Sequence, residues 1–340
     1  MTRYILSRIG GGLVSILGAS FLAFLFMRLL PGNPARLVLG PLASPHAVAH
    51  LRAQMGLDKS IPVQYWDFIT NFVRGHWGYS YTAGASVASQ IGARLPASIE
   101  LGIWAFIFAF VFAVIGALIS TYRHRPVLDA AVRGSAFIGL GTPPFWLGLV
   151  LLVVFFSKLG WLPGPTGRVS QGVPLPPKVT GILTLDALLD GDLAAFWNAL
   201  EHLLLPAISL GLGAYGLLVR LLRANLLDVS HEPYLLVSRS KGVGRFTTFR
   251  RHALPNAFLP TLTAGGLLLA QLITGTVLVE KVFDWPGIGG LVADSIERQD
   301  FSVVQVFILL SACAYVFVNI LVDVAGGLLD PRIKVSGAEA

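Results

Sequence analysis

The sequence has little charge and almost no cysteine. Only 13% of its 340 residues are Asp, Glu, Lys or Arg, whereas a soluble domain carries about 25%. Cys313 is the only cysteine, so an internal disulfide is excluded. Its thiol lies in an apolar run and is interpreted as a small packing residue. The composition therefore argues against a soluble globular protein and against a disulfide framework.

Several motifs that carry chemistry are also missing. No lysine follows a glycine, so a phosphate-binding loop of the form G-x-x-x-x-G-K-[ST] is impossible. The zinc motif H-E-x-x-H and the nucleophile motif G-x-S-x-G are absent as well. His46 and His50 are four residues apart, but no third ligand accompanies them, so no metal site is predicted. The sequence thus predicts neither an enzyme nor a cofactor held by this chain.

The hydrophobic residues, 54% of the chain, are concentrated in runs that match membrane spans. A transmembrane helix needs about 20 apolar residues, and these runs lack the polar alternation of membrane-barrel strands. The first run is too long for a signal peptide and has no cleavage site, so it predicts an uncleaved helix. We therefore predict an all-α polytopic membrane protein with six transmembrane helices. They are Ile9–Leu30, Ile99–Thr121, Ser135–Ser157, Leu203–Val219, Leu259–Val279 and Ser302–Ala325.

Lysine and arginine are unevenly distributed between the segments that connect these runs. If the N-terminus is cytoplasmic, the cytoplasmic segments hold 14 of the 25 Lys and Arg residues, and the longer external segments hold 10. Cytoplasmic loops carry the excess of positive charge in membrane proteins. Both termini are therefore predicted to be cytoplasmic, in a multi-pass protein of the cell (inner) membrane. The net charge of +7 follows from this asymmetry, and no nucleic-acid partner is predicted.

Residues 31–97 form the longest external segment and contain two predicted helices. Ser44 is expected to cap the first helix, and Gly56 is expected to end it. The second helix runs from Pro62 to Gly75, and its aromatic residues suit a position at the membrane surface. We interpret the segment as a helical cap packed on the spans, in preference to a surface that contacts substrate.

Two further external segments are rich in turn signals. Residues 158–202 combine a turn-rich run with short acidic helices, and residues 280–301 combine a Trp-Pro-Gly turn with an amphipathic helix. A partner that docks on the outer face would contact these loops.

Polar uncharged residues interrupt three of the predicted spans. A proline within a span frees backbone carbonyls, which need a protein or water-lined environment. These residues can line a water-filled translocation path, or they can form hydrogen bonds between helices, and both interpretations are open. An ion-coupled secondary carrier would also need charges near the midplane, whereas the charges here lie near the span ends. The candidate path residues are Thr142, Pro143, Gln271, Thr274 and Asn319.

The longest cytoplasmic loop, between the fourth and fifth spans, is strongly basic. The stretch "HEPYLLVSRSKG" predicts a short helix, with Pro233 in its first turn and Gly242 ending it in a left-handed conformation. Such a helix, held between two spans, could transmit force from a cytoplasmic partner. The alternative is a basic loop that only obeys the positive-inside rule.

This loop is similar to the EAA loop of ABC importer permeases. Gly242 fits the glycine of that motif, and Leu254-Pro255 fit its end. Leu236-Val237-Ser238 replace Glu-Ala-Ala, and His252 replaces an aliphatic residue, as in the peptide/nickel branch. Together with further blocks, the chain resembles the dipeptide/oligopeptide permease family, first-subunit type. The blocks are "RLLPGNPA", "GLDKSIPVQY", "RGHWGYS", "RLPASIELG", "GTPPFWLG", "LVEKVFDWPGIGGL" and "DVAGGLLDPRI".

The resemblance implies a type I ABC importer permease fold with an external helical insertion after the first helix. It also implies a second homologous permease, two cytoplasmic ATPases that bind ATP and Mg²⁺, an external substrate-binding protein and membrane lipid as partners. The implied boundaries are 1–30 for the N-terminal helix, 31–97 for the external segment, 98–330 for the permease domain with its loop at about 228–256, and 331–340 for the tail.

The same resemblance implies which residues contact the ATPases and what is transported. The cargo would be dipeptides or oligopeptides, with nickel chelates, glutathione and related small solutes as the alternative. A secondary carrier without ATPase partners is the alternative from a different class. The implied ATPase-coupling residues are His231, Glu232, Tyr234, Ser238, Arg239, Lys241, Gly242 and Gly244.

Overall fold

The structure is a computed structural model that describes residues 2–29, 34–40, 42–122, 126–274 and 277–329. The predicted tail, 331–340, lies outside the described residues. The first half of the chain comprises α1 (Thr2–Leu29), α2 (Pro34–Leu39), α3 (Pro45–Gln54), α4 (Ile61–Val73), the strands β1 (Tyr79–Ser80) and β2 (Ala85–Ser86), α5 (Val87–Tyr122), α6 (Pro126–Gly141) and α7 (Pro144–Leu151), which continues as a π-helix over Leu152–Lys158. The second half comprises α8 (Leu183–Asp190), α9 (Leu193–Ser230), α10 (Pro233–Ser240), α11 (Arg245–Thr248), a π-helical turn (Phe249–Ala253), α12 (Leu254–Thr274), α13 (Val277–Val282), α14 (Ile288–Glu297) and α15 (Phe301–Leu329).

Five stretches of the described chain are helical, long and apolar enough to cross a membrane. They lie in α1, α5, α9, the run from α11 to α12, and α15. The structure has a sixth span if α6 and α7, with its π-helical end, count as one span. The chain bends by 111° between these two helices, so this span is broken. The predicted third span, Ser135–Ser157, is therefore a sharp elbow. Pro143 and Pro144 cause it, since proline lacks the N–H that a helix needs and disfavours helix in the preceding residue.

The core of the bundle is the contact between α5 and α9. Every fourth residue on one face of α5 is small and buried, and Ala105, Ala109, Ala113 and Ala117 are each at most 1% exposed. Small residues at this spacing let two membrane helices approach closely. Two further pairs, α1 with α15 and α12 with α15, complete the bundle.

The external segment packs as a cap on α1. The Tyr65 hydroxyl lies 2.8 Å from Ser20 Oγ and donates to the Leu17 carbonyl at 3.2 Å. The rings of Phe24 and Phe68 stack at 6.1 Å. The Ser44 side chain caps α3 as predicted by accepting from the backbone N–H three residues on. These contacts pack the segment on α1, as the cap interpretation predicts.

Two local features differ from the sequence prediction. The strands β1 and β2 form an antiparallel hairpin, with Tyr79 opposite Ser86, and two-residue strands are too short to show an alternating pattern. The expected second short helix of segment 158–202 is instead the start of the 38-residue helix α9. Asp192 caps this helix by accepting from the Ala195 N–H at 2.9 Å, and the helix continues through Pro206 to Ser230.

The two ends of α5 define the two sides of the bundle. The insertion (residues 34–86) precedes α5, and we call its side the insertion side. The last residue of α5, Tyr122, packs on Phe246 and Phe249 after α10. We call this opposite side the α10 side.

Candidate coupling loop and translocation path

The helix α10 begins directly after the end of the long helix α9. His231 ends α9, where its backbone N–H donates to Asp228 O at 3.2 Å and its Nδ1 lies 2.8 Å from Leu227 O. Pro233 is then the first residue of α10, because proline suits the first turn of a helix. The predicted short helix is confirmed at its N-terminus.

The C-terminal end of α10 is a left-handed glycine cap. Gly242 has φ +75°, and the N–H of Val243 donates back to the Ser238 carbonyl at 3.3 Å. This six-to-one hydrogen bond is the mark of a Schellman cap, in which glycine avoids the steric penalty of positive φ. The predicted left-handed conformation of Gly242 is confirmed.

Helix α10 is anchored through three side chains, and most of its other described residues are exposed. Leu235 is only 2% exposed, the Ser238 hydroxyl lies 3.2 Å from Thr248 Oγ1, and Asn256 donates to the Tyr234 hydroxyl at 3.0 Å. The side chain of Arg239 lies outside what the structure describes. The remaining predicted coupling residues are exposed, and they are His231, Glu232, Tyr234, Lys241, Gly242 and Gly244.

The loop after α10 contacts the spans through aromatic rings. The rings of Tyr122 and Phe249 have centroids 5.3 Å apart, and the Phe246 ring lies edge-on at 6.2 Å. Phe249 begins the π-helical turn that leads into α12, and such turns are frequent at functional sites. The segment that follows α10 therefore contacts the end of α5 and continues into α12.

A partly buried ion pair ties three helices together on the same side of the bundle. Arg223 of α9 donates twice to Asp129 of α6, from Nε at 2.7 Å and from Nη2 at 3.0 Å. Ser120 of α5 also donates to Asp129 and accepts from Arg223 Nε at 3.0 Å. Neither residue was predicted, because Arg223 counted only toward the positive charge of its loop and Asp129 had no assigned partner. Their separation by 94 residues gave no local signal.

We expect Arg223 and Arg133, which contact the same carboxylate, to contribute very differently to the free energy of unfolding. Arg223→Gln should lower the free energy of unfolding by about 2 kcal/mol, because it leaves Asp129 without its two charged hydrogen bonds. Arg133 touches Asp129 at 3.3 Å but is 62% exposed, so Arg133→Gln should cost less than about 0.5 kcal/mol. Denaturant unfolding of the two purified variants measures both values. Equal costs would show that Arg223 is not a structural clamp.

The five predicted path residues lie on the elbow, on α12 and on α15. Pro143 and Gln271 are exposed, and the other three are half-buried. Thr274 donates to its own helix, at Ala270 O, and the buried Asn319 Oδ1 has no partner in the described chain. No hydrogen bond joins any two of the five within the described residues. The structure therefore does not gather them into one polar cluster in this chain alone.

Glu280 occupies a cradle that was not predicted from the sequence. Its carboxylate is 1% exposed and accepts from Ser98 Oγ at 2.5 Å and from the Gly290 N–H at 3.0 Å. The Gly290 N–H lies in the first turn of α14, where a helix favours negative charge. A Cβ on Gly287 would overlap this carboxylate. The block "EKVFDWPGIGG" thus folds into a glycine-lined pocket for its own glutamate.

Glu100, two residues after Ser98 on α5, joins the same turn of the helix to a second loop. This buried carboxylate accepts from the Thr184 N–H at 2.7 Å and hydroxyl at 2.8 Å, and it pairs with Arg168. Arg168 also donates to Gly181 O at 3.1 Å. The loops on the insertion side are therefore fixed to α5 by two buried carboxylates, Glu280 at Ser98 and Glu100 at Thr184 and Arg168.

The nearby Asp186 makes this loop sensitive to acid. Burial raises the pKa of Asp186, but hydrogen bonds from the Thr180 hydroxyl and the Thr180 and Gly181 N–H groups outweigh it and lower the pKa overall. A carboxyl with a lowered folded-state pKa stabilises above its unfolded pKa of about 4 and loses this contribution as pH falls through the folded value.

We therefore expect acid to release the two amides that Asp186 holds. Hydrogen-exchange protection of Thr180 and Gly181 should be constant near neutral pH and should fall below about pH 4. Asp186→Asn should lower their protection at neutral pH and remove its pH dependence. An identical pH profile for the variant and the natural chain would contradict this role.

The sequence matches two family models that together cover most of the chain. Residues 109–335 match the binding-protein-dependent transport system inner membrane component, and residues 1–102 match the N-terminal membrane component of binding-protein-dependent transport systems. The chain belongs to this family. It is thus an inner membrane component of an ABC transport system, as the resemblance implied, with the mostly helical fold of such permeases.

Relatives of this family match the chain over nearly its full length. A probable D,D-dipeptide transport system permease protein, DdpB of Escherichia coli, is 38% identical, with 98% of this chain and 97% of the relative covered. A di/tripeptide transport system permease protein, DppB of Pseudomonas aeruginosa, is 36% identical, with 98% and 99% covered. A glutathione transport system permease protein, GsiC of E. coli, is 33% identical, again with 98% and 99% covered.

Proposed function

We propose that this chain is the membrane-spanning permease through which an ATP-driven importer moves dipeptides or oligopeptides inward. The observation that carries the proposal is the exposed helix α10, closed by Gly242 at φ +75° and standing at the end of α9. Two peptide permeases that match nearly the whole chain support the choice of cargo.

The chain would work as one half of a channel. A second homologous permease would complete the path, and two ATPases, which bind ATP and Mg²⁺, would seat α10 and its counterpart in surface clefts. Residues 231–244 would form the coupling segment within the permease domain, 98–330. The α10 side and both termini would be cytoplasmic, and a binding protein would deliver peptide to the insertion side.

Movement of α10 would reach the spans through the contacts described above. ATPase closure would displace α10, and Phe246 and Phe249 would press on Tyr122 at the end of α5. The Asp129–Arg223 clamp would make α6 and α9 follow α5 as one body. Because packed interfaces switch between discrete arrangements, a small shift would tilt whole helices. The chain itself would hydrolyse no ATP.

The predicted path residues would face the second permease across water. A cysteine at the exposed Gln271, in a Cys313→Ser background, should react with a small water-soluble thiol reagent and slow import. A cysteine at Phe112, an apolar position of α5 that is half-exposed, should react only with a membrane-permeant reagent if this position faces lipid. If both positions behave alike, Gln271 does not line a water-filled path.

Competition for uptake would test the proposed cargo. Cells that express the complete transporter should import a labelled dipeptide, and an excess of unlabelled dipeptide or oligopeptide should block this import. Glutathione and a nickel chelate should compete weakly. Strong competition by glutathione alone would favour the second candidate, which the glutathione relative supports. Import that survives loss of the ATPases would instead indicate a secondary carrier.

A further inference from the structure

The insertion side contains a cavity that the proposed coupling mechanism does not use. It has a volume of about 210 Å³ and lies between the insertion and the first turns of α15. Since each water occupies about 30 Å³ in the liquid, this space would hold about seven waters or one molecule of dipeptide size. Its apolar wall is formed by the rings of Phe68, Phe72, Trp77 and Phe301.

Two side chains that line this cavity each carry a buried donor with no partner among the described residues. The Nε of Arg28 and the Nε2 of Gln305 are both inaccessible to solvent and make no hydrogen bond within the described chain. The guanidinium carbon of Arg28 lies over the face of the Phe24 ring, 5.0 Å from its centroid. An unsatisfied buried donor costs about 1–3 kcal/mol, so a turn of either side chain that offers its donor to an acceptor in the cavity would be favoured.

A carboxylate lines the same cavity without neutralising Arg28. Asp300 is 7% exposed, and its Oδ2 accepts from Ser80 and, at 2.6 Å, from Thr82. No ion pair joins Arg28 and Asp300 among the residues that the structure describes. The next residue back, Gln299, also lines the cavity and has φ +56°, which is strained for a residue with a side chain.

We infer that this cavity binds a zwitterionic peptide of about two residues. The peptide carboxylate would accept from Arg28 and Gln305, and the peptide ammonium would face Asp300. The aromatic wall would cover the peptide side chains. The inference rests on the proposed peptide function and deepens it, because it places a charge-reading site for both peptide ends in the permease itself.

The test uses the two-permease complex in lipid nanodiscs, without ATPases and without binding protein. Binding of Ala-Ala, of its amide and of its N-acetyl derivative is measured by calorimetry. We expect Ala-Ala to bind, and each modified peptide to bind about ten- to hundredfold more weakly, as for the loss of a charged hydrogen bond. Arg28→Gln should abolish the preference for the free carboxylate, and Asp300→Asn should abolish the preference for the free amine.

Two further variants keep the result interpretable. Gln305→Leu leaves both charges in place and should still weaken Ala-Ala binding. This variant tests the site if Arg28→Gln does not fold. Arg74→Gln removes an exposed cation of the insertion that does not line the cavity, and it should bind like the natural chain. If the natural complex binds none of the three peptides, or if Arg28→Gln discriminates like the natural complex, the cavity holds only water. ATP-driven uptake by the complete transporter would then still support the proposed function.

Discussion

Gly287→Ala is expected to destabilise the protein by about 3 kcal/mol. The added methyl group would overlap the Glu280 carboxylate, which cannot retreat without losing its hydrogen bonds to Ser98 and to the Gly290 N–H. Overpacking a filled site costs about 1–3 kcal/mol, and a buried charge that loses its donors costs a similar amount. Thermal unfolding of the purified protein in detergent would measure the loss.

A neighbouring glycine provides the matched control. A Cβ on Gly290 would meet no atom closer than Trp285 O at 3.9 Å, so Gly290→Ala should keep the stability of the natural chain. In a Glu280→Ala background the clash is absent, and Gly287→Ala should then cost little. Additive costs of the two substitutions would show that the cradle explanation is wrong, because contacting residues are expected to be coupled.

Gly242→Val is expected to leave an inserted permease that fails to couple to its ATPases. Gly242 has open space around it, so no clash is expected, but a side chain at φ +75° costs about 1–2 kcal/mol or re-aims the loop. The spans bury far more surface than α10, so membrane insertion should persist. We expect at least a tenfold fall in ATPase co-purification and in peptide uptake, a loss of about 1.4 kcal/mol or more in the contact.

The control for this substitution lies on α6. Gly134 also has open space around it, but its backbone is helical, so Gly134→Val should retain both the ATPase and uptake. Arg239→Glu should weaken the same contact as Gly242→Val through charge. If Gly242→Val assembles and imports as well as Gly134→Val, the segment is only a positive-inside loop.

Local signals in the sequence were sufficient for much of the fold. The proline and glycine of "PYLLVSRSKG" predicted both ends of α10, because first-turn proline and left-handed glycine depend on the backbone alone. The cap of α3 at Ser44 followed in the same way. Apolar run length predicted the spans, but Pro143 and Pro144 could not reveal that α6 and α7 would meet at 111°. That angle depends on how α7 packs against α9 and α13.

Long-range polar contacts could not be predicted from one sequence. Glu280 was assigned to an external loop, yet it is buried against Ser98, 182 residues away. Asp129 and Arg223 meet across 94 residues, and Ser80 meets Asp300 across 220. Each pair becomes visible only when helices that are distant in sequence are packed together. The glycines of "WPGIGG" were a local hint, since closely spaced glycines often mark a tight approach of the backbone.

The most direct test of the central claim is peptide accumulation in liposomes that contain both permeases and both ATPases. ATP is supplied on the α10 side or on the insertion side, and the binding protein is supplied on the other. We predict accumulation only when ATP is on the α10 side and the binding protein is on the insertion side, with no accumulation when the ATPases are omitted. Equal accumulation without ATPases, or with ATP on the insertion side alone, would contradict the account.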